Sequence, residues 1–227
     1  MPFFGRSLLT SRIVIPRTSL TITAIGNGSV STTQSKFGGA SYFGDGTGDY
    51  LDITPASTFD FGTDNFTYEC WFRSTDVTNL KAIFDTRPSG VNGAYPCVFT
   101  ENNKIKLYYN DDFRITGSTT ISVNVWYHMS LVKNSGTFTL YLDGTSEGTY
   151  ANNDSITGTT RFRIGSGSNS NAYSFAGYID EFRVSNIARY TTTFTPSSTA
   201  FSNDSDTKLL LHCDGTNGST TFTDDIN

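Results

Sequence analysis

Residues 66–74 read FTYECWFRS, a stretch in which two kinds of side chain alternate. Successive side chains of a β-strand point to opposite faces of a sheet, so this stretch has two different faces. The apolar face carries Phe66, Tyr68, Cys70 and Phe72, and the other carries Thr67, Glu69, Trp71 and Arg73. The pattern predicts a strand with one face on a hydrophobic core.

Similar alternation predicts further strands at KIKLYYN (104–110), WYHMSLVKN (126–134) and TFTLYLDGT (137–145). Residues 126–143 are typical of a hairpin, in which Asn134, Ser135 and Gly136 form the turn. Gly, Ser, Thr and Asn are abundant, and no long segment has a helical period. Many short strands joined by turns predict one all-β domain, an antiparallel two-sheet jelly-roll sandwich.

Several of these stretches together resemble a known family: FGDGTGDYLDI (43–53), FTYECWFRS, VWYHMSLVKNSGTFTLYLDGT (125–145), RFRIGSGS (161–168) and FAGYIDEFRVSNIARY (175–190). They resemble the laminin G-like domain of the concanavalin A-like lectin/glucanase superfamily, and GYIDEFRVSNIARY is the most specific part. The resemblance covers about residues 20–227 and is greatest to the type found in bacteriophage structural proteins. It implies a concanavalin A-like jelly roll with a concave and a convex face.

The end of the chain, LLLHCDGTNGSTTFTDDIN (209–227), has the pattern of a strand that opens a domain. In tandem members of the family, a similar segment precedes one like TITAIGNGSVSTTQSKFGGASYF, which here lies at residues 21–43. We therefore predict one domain at 20–227, in which 208–227 supplies a permuted or exchanged strand. Leu209 and Leu211 should share one face. The strand completes either its own sheet or, by exchange in a homo-oligomer, that of a neighbour.

Residues 1–19 form a predicted docking arm ahead of this domain. The first 44 residues contain four basic residues and no acidic one, whereas the remainder of the chain is acidic. Apolar and basic side chains suit an extended segment that docks on an acidic partner surface. The predicted docking residues are Phe3, Phe4, Arg6, Arg12, Ile13, Val14, Ile15 and Arg17.

Composition also excludes classes of partner and indicates a compartment. The acidic domain argues against nucleic acid, and no stretch is apolar enough to span a membrane. Arginines interrupt every apolar run at the N-terminus, so a secretory signal peptide is not predicted. The three cysteines, Cys70, Cys97 and Cys213, are too few for a disulfide framework and favour a reducing compartment such as a host cytoplasm.

Motifs of catalysis are missing from the sequence. Glucanases of the superfamily that this chain resembles carry two carboxylates in a Glu-x-Asp-x-x-Glu strand, and in YIDEF Tyr178 stands where the first Glu would be. No Gly-x-Ser-x-Gly motif or phosphate-binding loop occurs. We therefore predict that the protein is not an enzyme and has no catalytic residues.

A structural calcium ion is the one cofactor that the sequence suggests. In AGYIDEFRV, alternation places Tyr178, Asp180, Phe182 and Val184 on one face, which draws Asp180 toward the core. A buried carboxylate requires backbone N–H partners or a cation, and calcium favours oxygen ligands. Asp45 and Asp214 are the other predicted ligands. The alternative is that Asp180 accepts backbone hydrogen bonds and that the two Asp-Gly pairs form turns.

Two clusters have the composition of a carbohydrate-binding surface, which combines aromatic rings with Asn or Asp side chains on loops. The first lies at SNSNAYSFAG (168–177) and the second at the end of KIKLYYN. The predicted binding residues are Asn169, Asn171, Tyr173, Phe175, Tyr108, Tyr109 and Asp111. The alternative is that these aromatic rings pack in the core and that the polar runs are ordinary loops.

Two functions follow from the residues and the resemblance together. The first is a non-enzymatic virion structural protein, a capsid decoration or cement protein or another surface-exposed component of a bacteriophage particle, bound to capsid or tail proteins. The second is a carbohydrate-binding, lectin-like module that recognises a host surface, such as a tail fibre component. The sequence leaves open the location on the particle, the oligomeric state and any bound glycan.

Overall fold

The computed structural model describes residues 19–167 and 173–226. Over these ranges the chain forms two antiparallel sheets that enclose one core, which confirms the predicted sandwich. The predicted docking residues, which all lie between positions 3 and 17, are outside the described residues. A short 3-10 helix spans Ala56–Phe59, and the strands, numbered β1 to β15 in chain order, are Thr21–Ile25, Ser29–Ser31, Ser41–Asp45, Tyr50–Thr54, Phe66–Ser74, Lys81–Asp85, Cys97–Glu101, Lys104–Tyr109, Asp112–Thr116, Tyr127–Asn134, Thr137–Leu142, Thr145–Ala151, Arg163–Ile164, Ala176–Ser185 and Thr207–Leu211.

The strands form two separate sheets. The seven-stranded sheet has the order β1-β4-β13-β6-β7-β8-β9, and the eight-stranded sheet has β12-β11-β10-β5-β14-β3-β2, with β15 paired to β14.

In the described ranges, no helix is long and apolar enough to cross a membrane.

The core lies between the inner faces of the two sheets. Phe66, Tyr68, Cys70 and Phe72 of β5 are all buried in it, as the alternation of FTYECWFRS predicts. Tyr68 stacks on Phe84 of β6, with ring centroids 4.8 Å apart and planes 13° apart, so this pair joins the two sheets. Burial of each such ring contributes about 1.5–3 kcal/mol to stability.

A β-bulge interrupts β14 between Asp180 and Arg183. Glu181 adopts a φ of 53° there, and the extra residue shifts the alternation of the strand. Ile179, Phe182 and Val184 therefore face the core. The prediction that Tyr178 and Asp180 share the face of Phe182 is wrong, because the bulge lies between them and Phe182.

The C-terminal strand β15 pairs with β14 of its own chain. It lies beside the second half of β14, whereas β3 lies beside the first half, so β3 and β15 follow one another along the same edge. Leu209 and Leu211 enter the core and Leu210 faces outward, as predicted. Exchange of this strand between chains stays a prediction.

The outer face of the eight-stranded sheet is covered by other parts of the chain. Phe201, from the segment that links β14 to β15, packs there with Trp71 and Leu210. Phe37 and Ile226 pack against the same cluster. Trp71 is only 6 % exposed, so this surface is closed at its centre.

A buried carboxylate fastens that cover to the sheet. Glu69 of β5 is fully buried and accepts hydrogen bonds from Arg183 Nε (2.9 Å) and from the Tyr190 hydroxyl (2.8 Å), and His128 Nε2 lies 3.2 Å away. Burial favours the neutral acid, but the hydrogen bond of His128 and the charge of Arg183 outweigh it, and the pKa of Glu69 is lowered. Glu69 is therefore an anion that links β5, β10, β14 and the following segment.

Replacement of this anion should destabilise the fold. In Glu69→Gln the buried Arg183 loses its counter-charge, so the free energy of unfolding should fall by about 3–5 kcal/mol in urea titrations. The matched control is Glu101→Gln, which removes a partly exposed carboxylate from Lys106. It should cost less than about 1 kcal/mol. Equal unfolding midpoints for the two variants would contradict this role of Glu69.

Candidate functional site

The seven-stranded sheet carries accessible aromatic side chains on its outer face. In β8, Ile105, Leu107 and Tyr109 are buried in the core, and strand alternation therefore turns Tyr108 outward. Tyr108 pairs in register with Phe113 of β9, and both rings are partly exposed. Their centroids lie 5.4 Å apart in an edge-to-face arrangement.

These rings border a pocket of about 190 Å³. Phe99 of β7 is almost fully buried and lies 6.1 to 6.3 Å from the rings of Phe113, Tyr108 and Tyr173. The pocket thus has aromatic groups on several sides and one basic group. Its lining residues are Leu80, Arg87, Phe99, Tyr108, Phe113 and Tyr173.

Arg87 is held in a fixed orientation at the wall of this pocket. Its Nη2 donates to Asp85 Oδ2 at 2.6 Å, its Nε lies 3.1 Å from both oxygens of the same carboxylate, and its Nη1 donates to Asn92. The guanidinium carbon lies 4.7 Å from the Tyr108 ring centroid. Arg87 is only 4 % exposed, so it acts as a rigid polar edge beside the aromatic rings.

The charged groups around Tyr108 shift the pKa of its phenol in opposite directions. Burial raises the pKa of its phenol, the charge of Arg87 lowers it, and the carboxylate of Asp111 raises it again. The phenol is thus neutral at physiological pH and able to donate or accept a hydrogen bond.

The structure brings together two of the predicted carbohydrate-binding residues, Tyr108 and Tyr173. Asp111 is exposed in the turn that follows β8, with a φ of 63°. Tyr109 and Phe175 are fully buried in the core and cannot contact a ligand at the surface, so those two predictions are wrong. Asn169 and Asn171 lie outside the described residues.

The sequence analysis did not predict the other four lining residues, Leu80, Arg87, Phe99 and Phe113. A sequence signal was available for Phe113. The two-residue turn Asn110-Asp111 has positive φ values, and its residue types favour that conformation. Such a turn pairs Tyr109 with Asp112 and Tyr108 with Phe113. Alternation in the strand would also have placed Tyr109 inward. No comparable pattern indicates Arg87.

The three predicted calcium ligands do not come together. Asp45 is exposed at the end of β3 and pairs with Ala176, four residues along β14 from Asp180 and so about 13 Å away. The clustering of Asp45 with Asp180 is therefore wrong. In the ranges 19–167 and 173–226, no group of three or more His, Cys, Asp or Glu side chains is placed to hold a metal ion.

Asp180 is buried and accepts backbone hydrogen bonds, which is the alternative to calcium binding given in the sequence analysis. Its Oδ2 accepts the backbone N–H groups of Lys36 (2.7 Å) and Phe37 (3.1 Å), so it anchors the segment between β2 and β3. Its Oδ1 is also buried and has no hydrogen-bond partner. Burial raises the pKa of Asp180 to about 7.

Asp214 lies in a separate polar region at the C-terminal segment. Its Oδ1 accepts the N–H of Ala40 at 3.3 Å. A cavity of about 210 Å³ beside it is lined by His212, Cys213, Asp214, Thr223 and Asp225. His212 Nδ1 lies 2.8 Å from Glu181 Oε1, and this hydrogen bond raises the pKa of His212. This region connects the bulge of β14 to the chain end.

The aromatic pocket is lined by uncharged side chains and one arginine. None of its six described lining residues is a carboxylate, whereas glycoside hydrolysis uses two. In the YIDEF segment, Glu181 is buried and accepts the N–H of Phe201 at 2.6 Å. The carboxylates of this segment therefore hold the chain together.

Solved structures with the same fold have different roles. A protein from Bacteroides ovatus, whose proposed role is carbohydrate binding, has a TM-score of 0.58 at 17% identity over 92% of this chain and 56% of its own. The binding domain of Paraclostridial Mosquitocidal Protein 1 has a TM-score of 0.60 at 14% identity over 75% and 45%. The chain thus spans about half the length of these two proteins.

A third similar structure is that of a complex. Domain 4 of AbnA, a GH43 extracellular arabinanase from Geobacillus stearothermophilus, was solved with arabinotriose. Its TM-score is 0.51 at 17% identity, over 74% of this chain and 82% of that one. At such identities the likeness establishes the fold alone.

The search of curated proteins found no match. A family model, however, matches most of the chain. Residues 45–193, from the end of β3 to just beyond β14, match the Laminin_G_3 model, so the chain belongs to this family of the concanavalin A-like lectin/glucanases superfamily.

Proposed function

We propose that the protein is a non-enzymatic carbohydrate-binding module and that the aromatic pocket of the seven-stranded sheet is its binding site. One observation carries this proposal: Tyr108, Phe113 and Tyr173 surround a pocket that a fixed Arg87 completes. The outer face of the other sheet is covered at its centre by its own chain. The outer face of the seven-stranded sheet is therefore the face that a ligand could reach.

The chemistry of the pocket fits a sugar ring. A sugar ring has an apolar face of C–H groups, which packs on Tyr or Phe, and hydroxyls at its edge, which require donors and acceptors. Arg87 and the Tyr108 hydroxyl supply such groups beside the rings. The fold likeness to domain 4 of AbnA, solved with arabinotriose, supports the same proposal.

The role of a virion structural protein stays a hypothesis. It depends on the docking arm, whose predicted docking residues lie outside the described residues, and on the resemblance to bacteriophage proteins. Deletion of residues 1–19 distinguishes the two functions. Loss of binding to capsid or tail proteins would favour the structural role, whereas glycan binding that survives the deletion would favour the module proposed here.

Loss of the Tyr108 ring should weaken glycan binding. In Tyr108→Ala the pocket loses its stacking wall and the surface that supports Arg87, so affinity for a glycan identified on an array should fall about tenfold or more. Isothermal titration calorimetry measures this change. Tyr108→Phe should retain more of the affinity, because it keeps the ring.

Tyr178→Ala is the matched control for this experiment. Tyr178 is also a partly buried strand tyrosine, but it lies on the outer face of the eight-stranded sheet beside Phe43 and Arg73. Its removal should leave the glycan affinity unchanged. Equal losses in both variants would contradict the assignment of the site.

A structural calcium ion at Asp180 is a second proposal, and the buried Oδ1 without a partner supports it. Backbone carbonyls and water would have to supply the remaining ligands, since Asp45 is distant.

Thermal unfolding with added calcium or a chelator tests this proposal. Calcium should raise the Tm of the natural protein, because an ion that binds only the folded state stabilises it. Asp180→Asn should abolish the shift, and Asp45→Asn, which changes an exposed and distant carboxylate, should retain it. An unchanged Tm in the natural protein would leave Asp180 as an anchor of backbone N–H groups alone.

A further inference from the structure

Arg87 in the pocket wall and Lys106 beside Phe113 are each paired with a carboxylate of the same chain. Arg87 and Asp85 form a pair at 2.6 Å, in which both side chains are at most 5 % exposed. Lys106, whose Nζ lies 4.8 Å from the Phe113 ring, pairs with Glu101 at 2.5 Å. Neither cation is left with an uncompensated charge for a ligand.

Two further carboxylates add negative charge at the rim. Asp111, in the turn after β8, and Asp112, the first residue of β9, are exposed, and both raise the pKa of the Tyr108 phenol. Of these two, Asp112 has a basic partner, Arg114, at 3.6 Å. An anionic ligand would therefore meet paired cations and nearby carboxylates, which makes its binding unfavourable.

The paired Arg87 still offers a surface suited to hydroxyl groups. The guanidinium of Arg87 presents N–H donors at the pocket and the Tyr108 hydroxyl can donate or accept, whereas a sugar hydroxyl both donates and accepts. The volume of about 190 Å³ is below the roughly 300 Å³ at which pockets for drug-sized ligands begin. The space therefore suits a single sugar ring.

We propose that the pocket selects uncharged sugars and seats one ring of a neutral glycan, with its C–H face on the aromatic rings and its hydroxyls toward Arg87 and Tyr108. This inference rests on the proposed carbohydrate-binding function. It excludes sialylated, sulfated and uronate glycans as preferred ligands of this site.

A glycan array tests the selectivity. The array carries neutral glycans, including arabinotriose, each beside a counterpart in which a sialyl, sulfate or uronate group adds charge. Binding of neutral members at least about tenfold tighter than of their charged counterparts is the expected result. Equal or tighter binding of the charged members would overturn the inference but not the proposed function. Absence of binding to every glycan would overturn both.

A gain of function tests the cause of the selectivity. Glu101→Gln frees Lys106 beside Phe113, so affinity for the charged counterparts should rise about three- to tenfold while affinity for the neutral glycan stays the same. Asp111→Asn should act in the same direction, because Asn tolerates the positive φ at this position. Unchanged discrimination in both variants would overturn the role of charge compensation.

The matched control for these variants is Asp64→Asn. Asp64 is exposed in the turn before β5, in the eight-stranded sheet, and its replacement changes the net charge by the same amount. It should leave binding of charged and neutral glycans unaltered. A gain equal to that of Glu101→Gln would indicate a general effect of net charge and would also overturn the inference.

Discussion

The buried carboxylate of Glu69 fastens the segment that follows β14 to the eight-stranded sheet. A charged group without partners inside a protein is strongly unfavourable, so its burial requires donors from several directions. Here the partners come from β10, from β14 and, through Tyr190, from the segment that follows β14. That segment is thereby fixed on the outer face of the eight-stranded sheet. The centre of that face is thereby closed, whereas Tyr108 and Phe113 on the outer face of the seven-stranded sheet stay partly exposed.

The bulge of β14 organises the same sheet in a second way. One edge of this strand accommodates both β3 and β15, and the bulge lies where one ends and the other begins. Asp180 holds the segment before β3 through two backbone N–H groups, and Glu181 holds Phe201 and His212. The two adjacent acids therefore anchor three irregular segments.

Sequence alternation predicted the fold and the faces of regular strands, but it predicted only part of the site. It placed Leu209, Leu211 and the apolar residues of β5 correctly, because these strands keep an unbroken two-residue period. It failed for Tyr178, since a bulge shifts that period without a local sequence signal. Tyr108 and Tyr173 were recovered by residue type alone. Arg87 could not be, because no local pattern shows that its guanidinium, held by Asp85 and Asn92, lies against Tyr108 of another strand.

Each sheet has a buried pair of an arginine and a carboxylate, and the two pairs have different roles. Between Glu69 and Arg183, the ion pair lies beneath Phe201 and fastens one part of the chain to another. Between Asp85 and Arg87, the pair has a pocket beside it, and Arg87 lies against Tyr108 as a wall of that pocket. Because this wall is already fixed by three groups of its own chain, a sugar would not have to order it. Preorganisation of this kind lowers the entropic cost of binding, which a shallow pocket with few contacts particularly requires.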